Sequence, residues 1–210
     1  MIAAEALDLL DWKRRVFALY AEVRAAADAE HAWLRWREVR DELFRTHAQS
    51  PLPPEARACF TGLDCFPYNP ALRVTAAVEP AEPQARAIGA SGGEAVSFRR
   101  FALARFDLGN ASQTLELYWL QAYGGGVFCP IADRTSGRET YGGGRYLLDT
   151  VKGADLGGAR DSLVLDFNFA FNPSCSYDPR WVCPLTPPAN RLPLDVAGGE
   201  RHPHRSRGGG

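Results

Sequence analysis

Three adjacent glycines, Gly142, Gly143 and Gly144, stand inside the run Arg138-Glu139-Thr140-Tyr141 and Arg145-Tyr146. Glycine takes positive φ without strain and lets backbone approach a ligand closely. Successive amides in such a turn can form a concave nest for an anion, and Arg138 or Arg145 would add charge-assisted hydrogen bonds. Glu139, Tyr141, Asp166, Asn168 and Tyr177 are the polar side chains that would complete a pocket beside the nest. The chemistry of this set is capture of a small anionic or nucleotide-like molecule. The same residues fit an architectural reading. Glycine relieves strain in a hairpin turn or bulge, Asx side chains satisfy local backbone, and Arg145 pairs with Glu139. A second glycine run, Gly124-Gly125-Gly126, has no charged companion and reads as a turn.

The five cysteines, Cys59, Cys65, Cys129, Cys175 and Cys183, form no C-x-x-C pair. Zinc needs four ligands at suitable spacing, so no metal is expected. Cys175 and Cys183 are separated by seven residues on a Pro-rich segment. A cysteine nucleophile needs a base or a positive neighbourhood, and His31, His47, His202 and His204 are all remote in sequence. A thiol pair or nucleophile at Cys175 and Cys183 is conceivable, but the five are read as free thiols, mostly packed as small hydrophobes. The end Arg201-His202-Pro203-His204-Arg205-Ser206-Arg207 could touch a metal or acidic partners, but reads as a solvated tail.

These residues need elements to hold them. Leu7, Leu10, Phe17, Tyr20 and Val23 recur at helical steps and predict a helix over 6–24. Asp28 is an N-cap for a second helix over 30–46, where Trp33, Trp36, Val39 and Leu43 form a core seam rather than a ligand box. Ser50-Pro51-Leu52-Pro53-Pro54 ends the helical region, with one further turn over Glu55–Cys59. Beyond it the period falls to two. Strands are predicted at Leu72–Val78, Val96–Leu108, Gln113–Leu120, Val127–Ile131, Arg145–Thr150 and Leu163–Phe167, with Pro80 to Pro83 as a polar connection.

Bulk properties narrow the function classes. A chain of 210 residues with 46% hydrophobic content can bury a substantial core. A net charge of −1 argues against a general nucleic-acid binder. No apolar run approaches the ~20 residues of a membrane span, and the N-terminus lacks the basic and apolar regions of a leader. A cytoplasmic, membrane-free protein is expected.

The segment from Asp133 to Tyr146 is followed by Leu165-Asp166-Phe167-Asn168, by Asn172-Pro173-Ser174-Cys175-Ser176-Tyr177-Asp178-Pro179-Arg180-Trp181, and by Cys183-Pro184-Leu185. With Arg40-Asp41-Glu42-Leu43-Phe44, Ser50-Pro51-Leu52 and the Gly62 to Pro70 block, these motifs resemble the family catalogued as domain of unknown function 1684, over roughly residues 8–195. The chain departs from the family pattern at Ala48, Cys129 and Ala189. The resemblance brings no established activity.

The expectation is an α+β protein. A helical hairpin over 1–50 packs on an antiparallel β-barrel or sandwich over 51–197, a Pro-rich C-terminal strap closes one face, and 198–210 form a disordered tail. The leading function is a small-molecule-binding domain with its site around Arg138–Tyr146 and Asp166–Tyr177. The alternatives are a structural or interaction module and, by analogy with small barrels, a flavin- or nucleotide-using oxidoreductase. Whether the protein is an enzyme, and with what cofactor, stays open. Convergence of Glu139, Arg145, Asp166 and Tyr177 on an open pocket would favour binding; burial among mutual partners would favour architecture.

Overall fold

The computed structural model describes residues 2–203. His204, Arg205 and Arg207 of the tail lie outside the described residues.

Helix α1 (Ala3–Ala25) begins where the Glu5 carboxylate accepts from the Ile2 amide at 3.0 Å. Helix α2 (Ala29–Thr46) is capped by Asp28, whose carboxylate accepts from the amides of Glu30 and His31. That cap satisfies two of the donors every helix start leaves open. The tryptophan seam of α2 is core, as its spacing predicts: Trp36 is fully buried and donates to the Tyr20 hydroxyl at 3.2 Å, while Trp33 donates to the Asn168 carbonyl at 2.9 Å. On α1 the predicted stripe holds in its last turn, where Tyr20 and Val23 are buried, and fails before it. Val16, Leu19, Tyr20 and Val23 face inward, whereas Leu7, Leu10 and Phe17 are exposed. A third, short helix, α3 (Pro54–Ala58), follows the prolines.

The β region is one seven-stranded antiparallel sheet in the order β5-β4-β3-β2-β1-β7-β6. Its strands are β1 (Arg73–Gly89), β2 (Ala95–Leu108), β3 (Ala111–Leu120), β4 (Val127–Ile131), β5 (Arg145–Asp149), β6 (Gly158–Ala159) and β7 (Ser162–Asp166). The sheet is open, so the expected barrel is not confirmed. Just past β7, however, Phe171 bridges to Tyr146 on the free edge of β5 through two backbone hydrogen bonds of 2.8 and 3.1 Å. The predicted connection at Pro80–Pro83 is instead part of β1. The strand runs through it with a register shift between Pro80 and Gln84, which places prolines, having no donor, where the ladder lapses.

Two apolar layers sandwich the sheet. One holds the helices against Ile88, Phe98, Tyr118, Phe128 and Tyr146. The other holds Ala102, Ala104, Leu115, Leu117, Ile131 and Leu165 against Leu192 and Val196 of the C-terminal strap. The strap continues further than composition suggests. Residues 198–203 are described, Glu200 is fully buried, and the amides of Glu200, Arg201 and His202 donate to carbonyls of Ala170, Asp64 and Glu139, each at 2.8 Å. The boundary of the expected disordered tail at 198 is therefore wrong for these six residues, because backbone pairing holds what apolar side chains do not.

Candidate functional site

Arg145, the centre of the predicted anion nest, opens β5 and is 1% exposed. Its guanidinium donates to Asp133 Oδ2 at 2.9 Å and to the carbonyls of Val196 at 3.1 Å, Glu200 at 3.2 Å and Gly198. Asp133 is itself buried and also accepts from the Thr135 amide at 2.7 Å. Burial lowers the Arg145 pKa below that of a free guanidinium, and Asp133 opposes the shift. The donors are thus spent on the strap. Arg145 does not pair with Glu139, as one reading supposed; the Glu139 carboxylate faces Arg201 at 3.5 Å. Arg138 and Gly142 are on the outer surface.

The glycines serve the same joint. Gly144 has φ of 92°, and a Cβ there would overlap Thr186 Oγ1 and approach the Ile131 carbonyl to 2.6 Å. Thr186 lies directly across this backbone: its amide donates to the Gly143 carbonyl at 2.9 Å and its hydroxyl to the Ile131 carbonyl at 3.0 Å. A turn that the strap crosses at van der Waals distance admits no side chain.

Asp166 and Asn168 form a separate joint at the end of β7. Both are fully buried. The Asp166 carboxylate accepts from the Asn168 amide at 3.0 Å, the Asn168 side chain at 2.8 Å and Arg73 at 3.1 Å. Asn168 exchanges hydrogen bonds with the backbone of Asn69 at 2.9 and 2.8 Å. Burial raises the Asp166 pKa, partly offset by hydrogen bonds from Asn168 and Arg73.

Tyr177 belongs to a third group. Its hydroxyl donates to Glu200 Oε2 at 2.8 Å, and Glu200 also accepts from Arg40 Nε at 2.9 Å and the Asn172 amide at 2.7 Å. Burial opposes the Arg40 charge, yet Glu200 with Tyr177 and Tyr20 outweighs it and raises the pKa. Burial, then Glu200, pushes the Tyr177 phenol well above its usual range. Arg40–Glu200 is therefore a second buried ion pair, tying α2 to the strap.

The predicted set thus does not converge: Arg145, Asp166 with Asn168, and Tyr177 fall in three places, Glu139 faces Arg201, Tyr141 stands beside Cys175, and Arg138 and Gly142 lie on the surface. The structure brings Arg145 to Asp133, Asp166 to Asn168, and Tyr177 to Glu200. Only Tyr177 of the set lines a cleft that sequence reasoning missed. This cleft, of about 430 Å³, lies between the segment 52–64 and the strap. Leu52, Ala56, Phe60 and Leu63 give it an apolar wall; Glu55, Asp64, Tyr177 and Arg201 supply the polar groups. Arg201 stacks 4.9 Å from the Phe66 ring and faces Asp64 at 3.9 Å. Its ion pairs are long and part-exposed, unlike the enclosed bonds of Arg145. The one sequence signal for the cleft was the Gly62 to Pro70 block, where Gly62 has φ of 144° beside Asp41, whose carboxylate accepts from the Leu63 amide at 2.8 Å.

A fourth place was also underrated. Cys175 lies in the 3₁₀ turn Ser174–Ser176, and its amide donates to Cys183 Sγ at 3.4 Å. The Tyr141 hydroxyl stands 3.7 Å from Cys175 Sγ. Cys183 is pinned to the β1–β2 turn, its amide on Ser91 Oγ at 3.1 Å and its carbonyl on the Ser91 amide at 3.0 Å. Residues eight apart on an irregular strap meet only through its path, which spacing alone does not reveal.

Among the described residues no helix is long and apolar enough to cross a membrane. No curated protein matches the chain. The solution NMR structure of the uncharacterized protein from gene locus rrnAC0354 of Haloarcula marismortui is similar, at 33% identity and a TM-score of 0.58, over 82% of this chain and 93% of that one. The two share the fold around which the cleft and the strap are built. Over residues 58–201 the sequence matches the family model described as "Protein of unknown function (DUF1684)", and the chain belongs to that family.

Proposed function

We propose that the protein is a small-molecule-binding domain whose site is the cleft between residues 52–64 and the strap. The observation that carries this is the cleft itself, about 430 Å³ with an apolar wall and convergent polar groups. That size and character fit small-molecule sites in general. The apolar wall would take the body of the ligand, and Tyr177, Asp64 and Arg201 its polar end. Arg201 is the sole cation among the described lining residues and already faces two carboxylates, Asp64 and Glu139. The ligand class is accordingly a molecule with an apolar body and a compact polar head. An anionic head would compete with those carboxylates for Arg201.

A second reading has its own support. Arg145 is buried on Asp133 and the strap, and Asp166 and Asn168 are buried on each other, which is how a motif that only organises the chain would look. On that reading the protein is a structural or interaction module. The oxidoreductase analogy leaned on a small closed barrel and gains nothing from an open sheet.

Native mass spectrometry of the purified protein, beside an Ala56→Trp variant that fills the cleft, tests the binding reading. A co-purified small molecule retained by the parent and lost from the folded variant supports it. No bound molecule in either, or equal retention in both, contradicts it and leaves the module reading.

A further inference from the structure

Cys175 and Cys183 stand apart from the cleft and take no part in the proposed binding. Cys175 is half-buried and within reach of solvent, while Cys183 is 3% exposed. The Cys175 amide points at the Cys183 sulfur, and both segments are held by hydrogen bonds to fixed elements: Tyr141 on one side, Ser91 on the other. Such an arrangement costs little further ordering to bring two sulfurs into bonding contact, because the intervening loop is already closed. The remaining thiols are differently placed. Cys65 and Cys129 are held up to about 12 by burial, and Cys59 is exposed.

We propose that Cys175 and Cys183 form a peroxide-reactive thiol pair that closes reversibly into an intramolecular disulfide, with Cys175 attacking and Cys183 resolving. In the first step the Cys175 thiolate attacks hydrogen peroxide. An S–O bond forms, the O–O bond breaks, and the departing hydroxide becomes water with the proton the thiol released on forming the thiolate. Cys175 is then a sulfenic acid. In the second step Cys183, deprotonated, attacks Cys175 Sγ; the S–S bond forms, the S–O bond breaks, and the oxygen leaves as a second water. Two thiols and one peroxide give one disulfide and two waters, and a dithiol reductant reverses the change.

The surroundings favour this division of labour. Hydrogen bonds from the Cys183 thiol, Ser91 and Tyr141 stabilise a thiolate on Cys175 and lower its pKa. The pair gives up its first proton readily and its second reluctantly, since the second would set two thiolates together; Cys183 is accordingly raised by its Cys175 neighbour and by burial. Thiolate character with partial exposure is what makes a cysteine susceptible to peroxide.

The experiment treats the full chain with stoichiometric hydrogen peroxide near neutral pH, blocks remaining thiols with N-ethylmaleimide, and maps tryptic peptides by mass spectrometry. Cleavage after Arg160, Arg180 and Arg191 separates the two cysteines, so a disulfide joins peptides 161–180 and 181–191. Expected are joined peptides in the parent, reversed by dithiothreitol, and dimedone-trapped sulfenic acid at Cys175 in Cys183→Ser. In Cys175→Ser, Cys183 stays unmodified. Cys175 should react about ten-fold faster than Cys59, and Tyr141→Phe should slow it several-fold while shifting its pH–rate profile upward. Cys175 reacting no faster than Cys59, no joined peptides, or sulfenic acid appearing on Cys183 in place of Cys175 would each overturn the proposal.

Discussion

The Arg145 joint and the Arg201 cleft both set a guanidinium against carboxylate beside the same C-terminal strap, and they hold it in opposite ways. Arg145 is enclosed, with Asp133 at 2.9 Å and carbonyls of the strap filling its remaining directions. Arg201 is part-exposed, with carboxylates at 3.5 and 3.9 Å and an open space in front of it. An arginine whose donors are all committed to its own chain fixes structure. One held by long, solvated ion pairs can exchange them for a ligand at small cost, because exposed pairs contribute only ~0–1 kcal/mol. The most distinctive motif of the sequence therefore marks the first kind of site, and on the proposed reading an inconspicuous arginine near the end marks the second.

The sharpest way to break this contrast is to remove each arginine. Arg145→Ala strands the Asp133 carboxylate in the interior along with several strap carbonyls. Removing one partner of a buried pair costs ~3–5 kcal/mol, so chemical denaturation should show a loss of that order or failure to fold. A loss below about 1 kcal/mol, the exposed-pair range, would mean the joint is not structural.

Gly144→Ala tests the same joint through its backbone. The positive φ and the crossing of Thr186 make a side chain costly there; non-glycine residues in such regions cost ~1–3 kcal/mol each. Gly142→Ala, at an exposed position without positive φ, should cost far less. Equal thermal shifts for the two variants would remove the glycine argument.

A pH titration of stability sharpens the role of Asp166. Its folded pKa is raised by burial, so the native state binds the proton more tightly than the unfolded chain. Stability from this group is fully present below the unfolded carboxylate pKa and is lost as pH rises through the folded value. Relative to Asp166→Asn, the parent should lose stability across that window as pH increases, measured by urea unfolding at several pH values. The opposite slope would show that Arg73 and Asn168 outweigh burial.

The smallest effect on stability is expected at the cleft. Arg201→Gln should change unfolding free energy by ~0.5 kcal/mol or less, while lowering retention of any co-purified molecule in native mass spectrometry. A large destabilisation would place Arg201 with Arg145 and collapse the distinction.

Much of this fold was legible in the sequence, and the reasons it was not complete are specific. Val127–Ile131 and the Asp28 cap were readable because period and capping are local. The inward face of α1 was legible only at Tyr20 and Val23, since Leu7, Leu10 and Phe17 also recur at helical steps and only tertiary packing selects Val16 and Leu19 over them. The partners of Arg145 lie 12 residues upstream and more than 50 downstream, beyond any local rule. The strap end was hidden for another reason. Gly198, Gly199 and Arg201 carry no apolar signal, and Gly199 uses φ of 74° to bring Glu200 inward. The meeting of Cys175 with Cys183 and the cleft both depend on where that strap travels, so the sequence could raise a thiol pair but not place it.

On the proposed reading, ligands meet this protein at the cleft and not at the glycine motif. Amide NMR mapping of a fragment library decides between them, because each region has its own backbone reporters. The account predicts that binding fragments shift amides in 52–64, at Tyr177 and at Arg201, and leave Arg138–Arg145 and Asp166–Asn168 unmoved. Shifts centred on Gly142–Arg145, with the cleft silent, would contradict it.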